Sequence, residues 1–142
     1  MQPEILRLYE PPGSENLSKE FYYSNNMLHN LNGPARIEFW PSKSIMLKEW
    51  YKYSLLHNVQ GPARIKYFQN KQIEYMEYYV NGLRHREDGP AVSVFYSNGI
   101  IRAQRWYKNG LLDRDDGPAE IEYDMKGNKL REIRYRKGEI IR

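Results

Sequence analysis

The sequence lacks several features that define common protein classes. It contains no cysteine, which excludes disulfides and thiolate metal sites and is compatible with a reducing compartment. No stretch approaches the roughly 18 apolar residues that a membrane-spanning helix needs. The opening residues MQPEILRLYEPPG have neither the basic start nor the apolar run of a secretory signal. We therefore expect a cytoplasmic chain with no secretion signal and no transmembrane segment.

Charge and apolar content set further bounds. The net charge of +4 over 142 residues is a mild excess, which does not indicate a dedicated nucleic-acid binder. There are thirteen tyrosines, whereas Leu, Ile, Val and Phe together are modest. These numbers favour a single domain of ordinary length with a small core.

A Gly-Pro-Ala triplet recurs four times, and its glycines are each 28 residues apart. A tyrosine recurs at the same period in five rows, with an aromatic residue commonly before it. The positions that we assign to structural roles are Gly33, Gly61, Gly89, Gly117, Pro34, Pro62, Pro90, Pro118, Tyr23, Tyr51, Tyr79, Tyr107, Tyr135, Trp50 and Trp106. A fixed period of this size indicates a repeat architecture.

Each unit is predicted to contain two strands. Apolar and polar residues alternate after each repeated alanine, as in Ala35, Ile37 and Phe39, which is typical of a strand with one packed face. A polar turn follows, and a second strand is predicted to end at the repeated tyrosine. Proline fits at the first position of a strand, where its missing N–H does least harm, so Gly-Pro-Ala is interpreted as a joint between units.

The expected fold is all-β, an elongated and open-ended row of about five antiparallel β-hairpins. We expect one repeat domain over residues 1–142. Residues 1–34 form an atypical hairpin and loop, residues 35–62, 63–90 and 91–118 are repeats, and residues 119–142 are the last hairpin and a tail.

Two segments carry a family resemblance. WYKNGLLDRDDGPAEIEYDMKGNKLRE (106–132) and YYVNGLRHREDGPAVSVFYSNG (78–99) resemble the MORN repeat, with an aromatic strand, Asn-Gly, a polar loop, glycine and a second strand. The period of 28 is longer than usual for that family, and Gly-Pro-Ala replaces its simpler glycine pattern. The resemblance implies a row of hairpins that acts as a scaffold and often dimerises, with links to lipid contact. It also implies relatives among large DNA viruses and bacteria, some of them antitoxin-like.

The pattern argues against an enzyme and against a metal site. His29, His57 and His85 occupy one column, and equivalent residues two strands apart are separated by roughly 9–10 Å, too far to share one zinc ion. The acidic pairs 87–88 and 115–116 precede Gly-Pro in loops, where Asp commonly bonds its own backbone. We expect no catalytic residues, no metal and no cofactor.

One face of the first strands is the candidate interaction surface. Its residues are Arg36, Trp40, Arg64, Lys66, Phe68, Val92, Val94, Tyr96, Glu120 and Glu122. They grade from basic through apolar to acidic, so an antiparallel homodimer would pair opposite charges, with the valines near its two-fold axis. Solvent-facing positions that have drifted in charge would explain the gradient equally.

The predicted function is a non-enzymatic scaffold for protein–protein interaction, with the chain itself as the expected partner. Two alternatives stay open. The basic, aromatic first half suits nucleic acid or anionic lipid, and an antitoxin-like role would make the chain a blocking partner of another protein.

Overall fold

The computed structural model describes residues 2–142, which are all-β and contain no helix. The strands are β1 (Glu4–Tyr9), β2 (Leu17–Ser24), β3 (Met27–Leu28), β4 (Arg36–Phe39), β5 (Ile45–Glu49), β6 (Tyr51–Lys52), β7 (Leu55–Leu56), β8 (Arg64–Tyr67), β9 (Ile73–Glu77), β10 (Tyr79–Val80), β11 (Leu83–Arg84), β12 (Val92–Phe95), β13 (Ile101–Arg105), β14 (Tyr107–Lys108), β15 (Leu111–Leu112), β16 (Glu120–Tyr123), β17 (Lys129–Ile133), β18 (Tyr135–Arg136) and β19 (Glu139–Ile140). Among these residues no helix of a length and hydropathy suited to crossing a membrane occurs.

Ten strands form one long antiparallel sheet in hairpin order. The order is β1-β2-β4-β5-β8-β9-β12-β13-β16-β17, and β3 pairs with the end of β2. The first and last strands of this order do not pair with each other, so the sheet is open. The predicted all-β, open, antiparallel architecture is confirmed at this level.

The predicted end of the second strand is wrong by two residues in the four units after the first, where β5, β9, β13 and β17 end at Glu49, Glu77, Arg105 and Ile133. We expected β5 to continue to Tyr51, but it ends at Glu49. The N–H of Trp50 still donates to Ala63 O at 2.7 Å, but its carbonyl accepts the N–H of His57 at 3.0 Å. The chain therefore leaves the sheet at Trp50, and the repeated tyrosine begins a short ribbon of two strands. The ribbons are β6-β7, β10-β11, β14-β15 and β18-β19.

The ribbons reverse through residues in the left-handed region. Asn81 (φ 48°) and Gly82 (φ 80°) form one reversal, and Asn109 with Gly110 forms the next. Two consecutive positive φ values are the requirement of a type I′ turn, which explains the recurrent Asn-Gly. The preceding ribbon uses Tyr53 and Ser54 at the same place.

Successive ribbons stack on one another. The N–H of Gly82 donates to Leu56 O, and that of Gly110 donates to Arg84 O, both at 2.8 Å. A side chain at Gly82 would bring its Cβ within 3.3 Å of Leu55 Cδ2, so the leucine of one unit lies directly over the glycine of the next. The ribbons thus form a second row of contacts beside the sheet.

The alanine of each Gly-Pro-Ala joint is fully buried. Ala35, Ala63, Ala91 and Ala119 have no exposed surface. The N–H of Ala63 donates to Glu77 O at 2.8 Å, and its carbonyl accepts the N–H of Trp50. The joint therefore fixes the alanine between the second strands of two neighbouring units, where a longer side chain has no space.

Candidate interaction surface

The strand register separates the side chains of the sheet into two faces. Directly opposed residues in antiparallel strands share a face, and Arg36 opposes Glu49, Glu49 opposes Arg64, and Arg64 opposes Glu77. We call this side the charged face. The other side carries Ile37, Lys48, Ile65 and Met76 in the neighbouring register positions, and we call it the apolar face.

A row of alternating charges crosses the first half of the charged face. Glu49 Oε1 lies 3.0 Å from Arg36 Nη1, and Glu49 Oε2 lies 2.8 Å from Arg64 Nε. Arg64 Nη1 then lies 3.3 Å from Glu77 Oε2. Arg36 also donates to Glu38. The row therefore links four strands through side chains as well as through the backbone.

Glu49 is the most buried member of this row. Its residue surface is 1% exposed, and the hydroxyl of Tyr51 donates to Oε2 at 3.2 Å. Glu77 repeats the arrangement one unit later, with a bond from the Tyr79 hydroxyl at 2.7 Å. The repeated tyrosine thus covers the carboxylate two residues before it.

The surroundings of the row shift the pKa values of Arg64 and Tyr51. Burial acts to lower the pKa of Arg64, but its hydrogen bond to Glu49 and the charges of Glu49 and Glu77 outweigh burial and raise that pKa. Burial raises the pKa of Tyr51 above 10, and the charge of Glu49 raises it further. The guanidinium and the phenol therefore keep their protons, as the ion pairs and hydrogen bonds require.

Val92 interrupts the charge row in the second half. It opposes Glu77 on one side and Arg105 on the other and is 5% exposed. Beyond it Arg105 Nε lies 3.5 Å from Glu120 Oε2. Arg131 Nη2 joins Glu120 and Glu122, at 2.7 and 2.9 Å. The row resumes there, and Arg131 is more exposed than the arginines of the first half.

The ten residues of the candidate surface fall into three groups. Seven occupy register positions on the charged face, namely Arg36, Arg64, Lys66, Val92, Val94, Glu120 and Glu122. Tyr96 lines a depression there with Val94 and Glu122, and its hydroxyl donates to Tyr123 O. Trp40 and Phe68 follow strands, and their N–H groups close the turns on Ser44 O and Gln72 O.

The contacts of the charged candidates reduce the attraction that the charge gradient can supply to a partner. Each of the five charged candidates forms an ion pair of 3.5 Å or less with another residue of the chain. They are Arg36, Arg64, Lys66, Glu120 and Glu122. Glu38, which shares this face with Arg36, is only 7% exposed. A partner docking here would meet charges that are already neutralised, so the gradient supplies less attraction than the sequence implies.

Two alternative sets of side-chain hydrogen bonds stabilise the loops before Gly-Pro-Ala. In the second unit, Asn58 Nδ2 donates to Pro62 O at 2.9 Å and its Oδ1 accepts the N–H of Gln60. In the third unit, Arg86 Nη1 donates to Pro90 O and its Nε donates to Asp88 at 3.0 Å. An Arg-x-Asp pair thus replaces an Asn side chain that caps its own loop.

The acidic pairs therefore have structural partners. Besides the bond to Asp88, the Arg86 guanidinium lies 4.1 Å from the centre of the Tyr78 ring, which is a cation–π contact. Glu87 Oε1 lies 2.9 Å from His85 Nε2. The fourth unit repeats the pattern with Arg114 stacked over Trp106 at 4.0 Å.

The histidine column connects each loop to the next ribbon. Nδ1 of His29, His57 and His85 accepts the backbone N–H of Tyr53, Asn81 and Asn109, at 3.2, 2.9 and 3.0 Å. Each acceptor is 24 residues before its donor, so these bonds join successive units. In residues 2–142 no three His, Asp or Glu side chains are grouped closely enough to share a metal ion.

The surroundings of His57 predict a pH dependence of stability. Burial, aided by the charge of Lys52, lowers the pKa of His57 below 6.5. The unfolded chain therefore binds more protons than the folded chain between the two pKa values, and stability rises with pH in that interval. The contribution is complete above about pH 6.5 and is lost as the pH falls through the folded pKa.

We expect His57→Asn to reduce this dependence, because its Oδ1 can accept the same N–H without titrating. Urea unfolding at pH 7 and at pH 5 should show a fall in the wild-type free energy of unfolding that exceeds the fall in the variant. The difference should be no larger than about 1 kcal/mol, the contribution of one hydrogen bond. Equal falls in the two proteins would contradict the assignment.

The apolar face carries two rows of side chains, which are half-exposed except for the buried Ile121. The outer row contains Phe39, Ile45, Tyr67, Ile73, Phe95, Ile101 and Tyr123, and the inner row contains Ile37, Ile65, Met76 and Ile121. Lys48 also lies on this face, with its Nζ 6.0 Å from the centre of the Tyr67 ring. The loops cover the alanine positions at one margin but leave these two rows partly in solvent.

Comparison with known proteins identified no relative of this chain. No family model matches the sequence, and neither a curated protein nor a solved structure matches it. The resemblance to MORN repeats therefore stays a prediction, and the interpretation of the surface depends on the geometry described above.

Proposed function

We propose that this chain is a non-enzymatic scaffold for protein–protein interaction, built from about five MORN-like hairpin units, and that it assembles with a second copy of itself. The observation that supports this most is the single-layer sheet with its apolar rows left partly in solvent. Apolar patches larger than a few hundred Å² on a soluble chain mark interaction sites.

The contacts of the polar side chains support a structural role for them. The histidines bond backbone N–H groups of the next unit. Glu87, Asp88 and Asp116 pair with arginine or histidine of their own unit, and Asp115 pairs with Arg136 of the next unit. These side chains already stabilise the repeat, and none of them needs a catalytic task to explain its position. The extended surface is what such a repeat offers to a partner.

The expected result is a dimer in solution. Light scattering at micromolar concentration should give twice the 17.1 kDa mass of the chain, and the mass should persist from low to moderate salt because apolar contact is insensitive to screening. A strict monomer would contradict the homodimer. Binding to polyanions that collapses over the same salt range would instead favour a nucleic-acid or lipid partner.

A further inference from the structure

The area of the chain is large for its mass. A compact monomer of 17.1 kDa has an accessible surface of roughly 7,800 Å², whereas this chain exposes 9104 Å². The excess of roughly 1,300 Å² is more than the roughly 800 Å² that each partner contributes to a standard interface. The chain can therefore supply a full interface and still expose as much surface as an ordinary globular protein.

The two faces differ in what they can supply. On the charged face Glu49 and Glu77 are buried and paired with partly exposed arginines, so a partner there would contact a surface whose charges are already paired. On the apolar face seven consecutive strands, from β4 to β16, each place an apolar or aromatic side chain in the outer row. This row is the longest apolar feature of the sheet.

From these two observations, and on the basis of the proposed function, we infer that two copies pack their apolar faces against each other as a β-sandwich, with the two-fold axis along β9. Sheets packed in this way lie about 10 Å apart and interdigitate their side chains. β9 is the middle strand of the seven, so an axis there uses the whole outer row. Ile73 of each copy then meets Ile73 of the other.

This axis also sets compatible side chains opposite each other. Strands at equal distances on either side of β9 face one another across the interface, so β8 faces β12 and β5 faces β13. Tyr67 then lies opposite Phe95, and Ile45 lies opposite Ile101. In the inner row, Lys48 lies opposite Gln104, whose amide oxygen accepts the Tyr123 hydroxyl within the chain and has a second lone pair for an ammonium group.

Charge reversal at the axis distinguishes the two faces. Ile73→Arg places two like charges against each other in an apolar interface, so the dimer dissociation constant should rise at least about 100-fold while the β-sheet circular dichroism is kept. Val94→Arg is the matched control on the charged face and should leave the dimer intact. If Val94→Arg dissociates the dimer and Ile73→Arg does not, the assignment of the interface to the apolar face is wrong, although the proposal of a homodimer still holds.

A cross-link tests the same contact without a new charge. Because the sequence has no cysteine, Ile73→Cys introduces a single thiol. In the proposed dimer the two thiols point toward each other between backbones about 10 Å apart, so a short bismaleimide can join them. Ile73→Cys should give a covalent dimer, and Val94→Cys should not. A folded Ile73→Cys dimer that fails to cross-link overturns the inference, even if Ile73→Arg unfolds. A monomeric wild-type chain overturns both the inference and the proposed homodimer.

Discussion

Replacing Glu49 with alanine is expected to lower the free energy of unfolding by about 3 kcal/mol. The change leaves Arg36 and Arg64 without the carboxylate that lies within 3.0 Å of each, and it removes the acceptor of the Tyr51 hydroxyl. Each arginine keeps a second carboxylate, Glu38 for Arg36 and Glu77 for Arg64, but loses its most buried partner, so its positive charge is less well compensated. Urea denaturation followed by circular dichroism would measure the loss.

The matched control is Glu74→Ala. Glu74 pairs with Lys66 at 3.3 Å, but the side chains of this pair are 30% and 34% exposed, so solvent screens it and its loss should cost less than about 1 kcal/mol. Glu49→Gln keeps an acceptor and should fall between the two. Similar losses for Glu49→Ala and Glu74→Ala would show that burial of the charge row does not increase its contribution to the free energy of unfolding.

Replacing Ala63 with leucine is expected to destabilise the chain by about 3 kcal/mol. Ala63 is fully buried and both of its backbone groups bond neighbouring strands, at 2.7 and 2.8 Å. The larger side chain therefore cannot be accommodated without separating two units. Thermal or urea unfolding would measure the effect.

Lys66→Leu serves as the control for this substitution. Lys66 lies on β8, which begins directly after Ala63, and its side chain is 34% exposed, so leucine has room there and should change the free energy of unfolding by less than about 1 kcal/mol. If the two leucine variants are equally stable, the joint is not closely packed and the structural explanation of Gly-Pro-Ala fails.

The sequence was sufficient for the repeat, the strand type and the antiparallel order. Alternation after each alanine depends only on the two-residue period of a strand, and Asn-Gly reflects the positive φ values of Asn81 and Gly82. Both are local properties, so they can be recognised without knowledge of the fold. The same reasoning misplaced the end of β5. The chain turns at Trp50 because its N–H donates to Ala63 O and its carbonyl accepts the N–H of His57, and alternation does not reveal these bonds.

The distribution of burial could not be predicted in the same way. Alternation placed Arg36 on the unpacked face of its strand, yet Glu38 on the same face is 7% exposed and Glu49, opposite Arg36, is 1% exposed. In a single-layer sheet the long side chains of neighbouring strands cover one another, and this depends on register rather than on hydrophobicity. The recurrent Arg-x-Asp before the last two Gly-Pro-Ala joints was a signal that the sequence did offer, since Arg86 and Asp88 are paired.

The sequence by itself determined the period, the hairpin order and the turn chemistry, because each follows from backbone conformations that a few residues impose locally. Only the tertiary structure decided which charges are paired and which side of the sheet remains apolar and partly exposed. That outcome depends on which residues lie opposite across strands about 15 positions apart, as Glu49 lies opposite Arg64. It also depends on loops that bond to the next unit, as His57 bonds to Asn81.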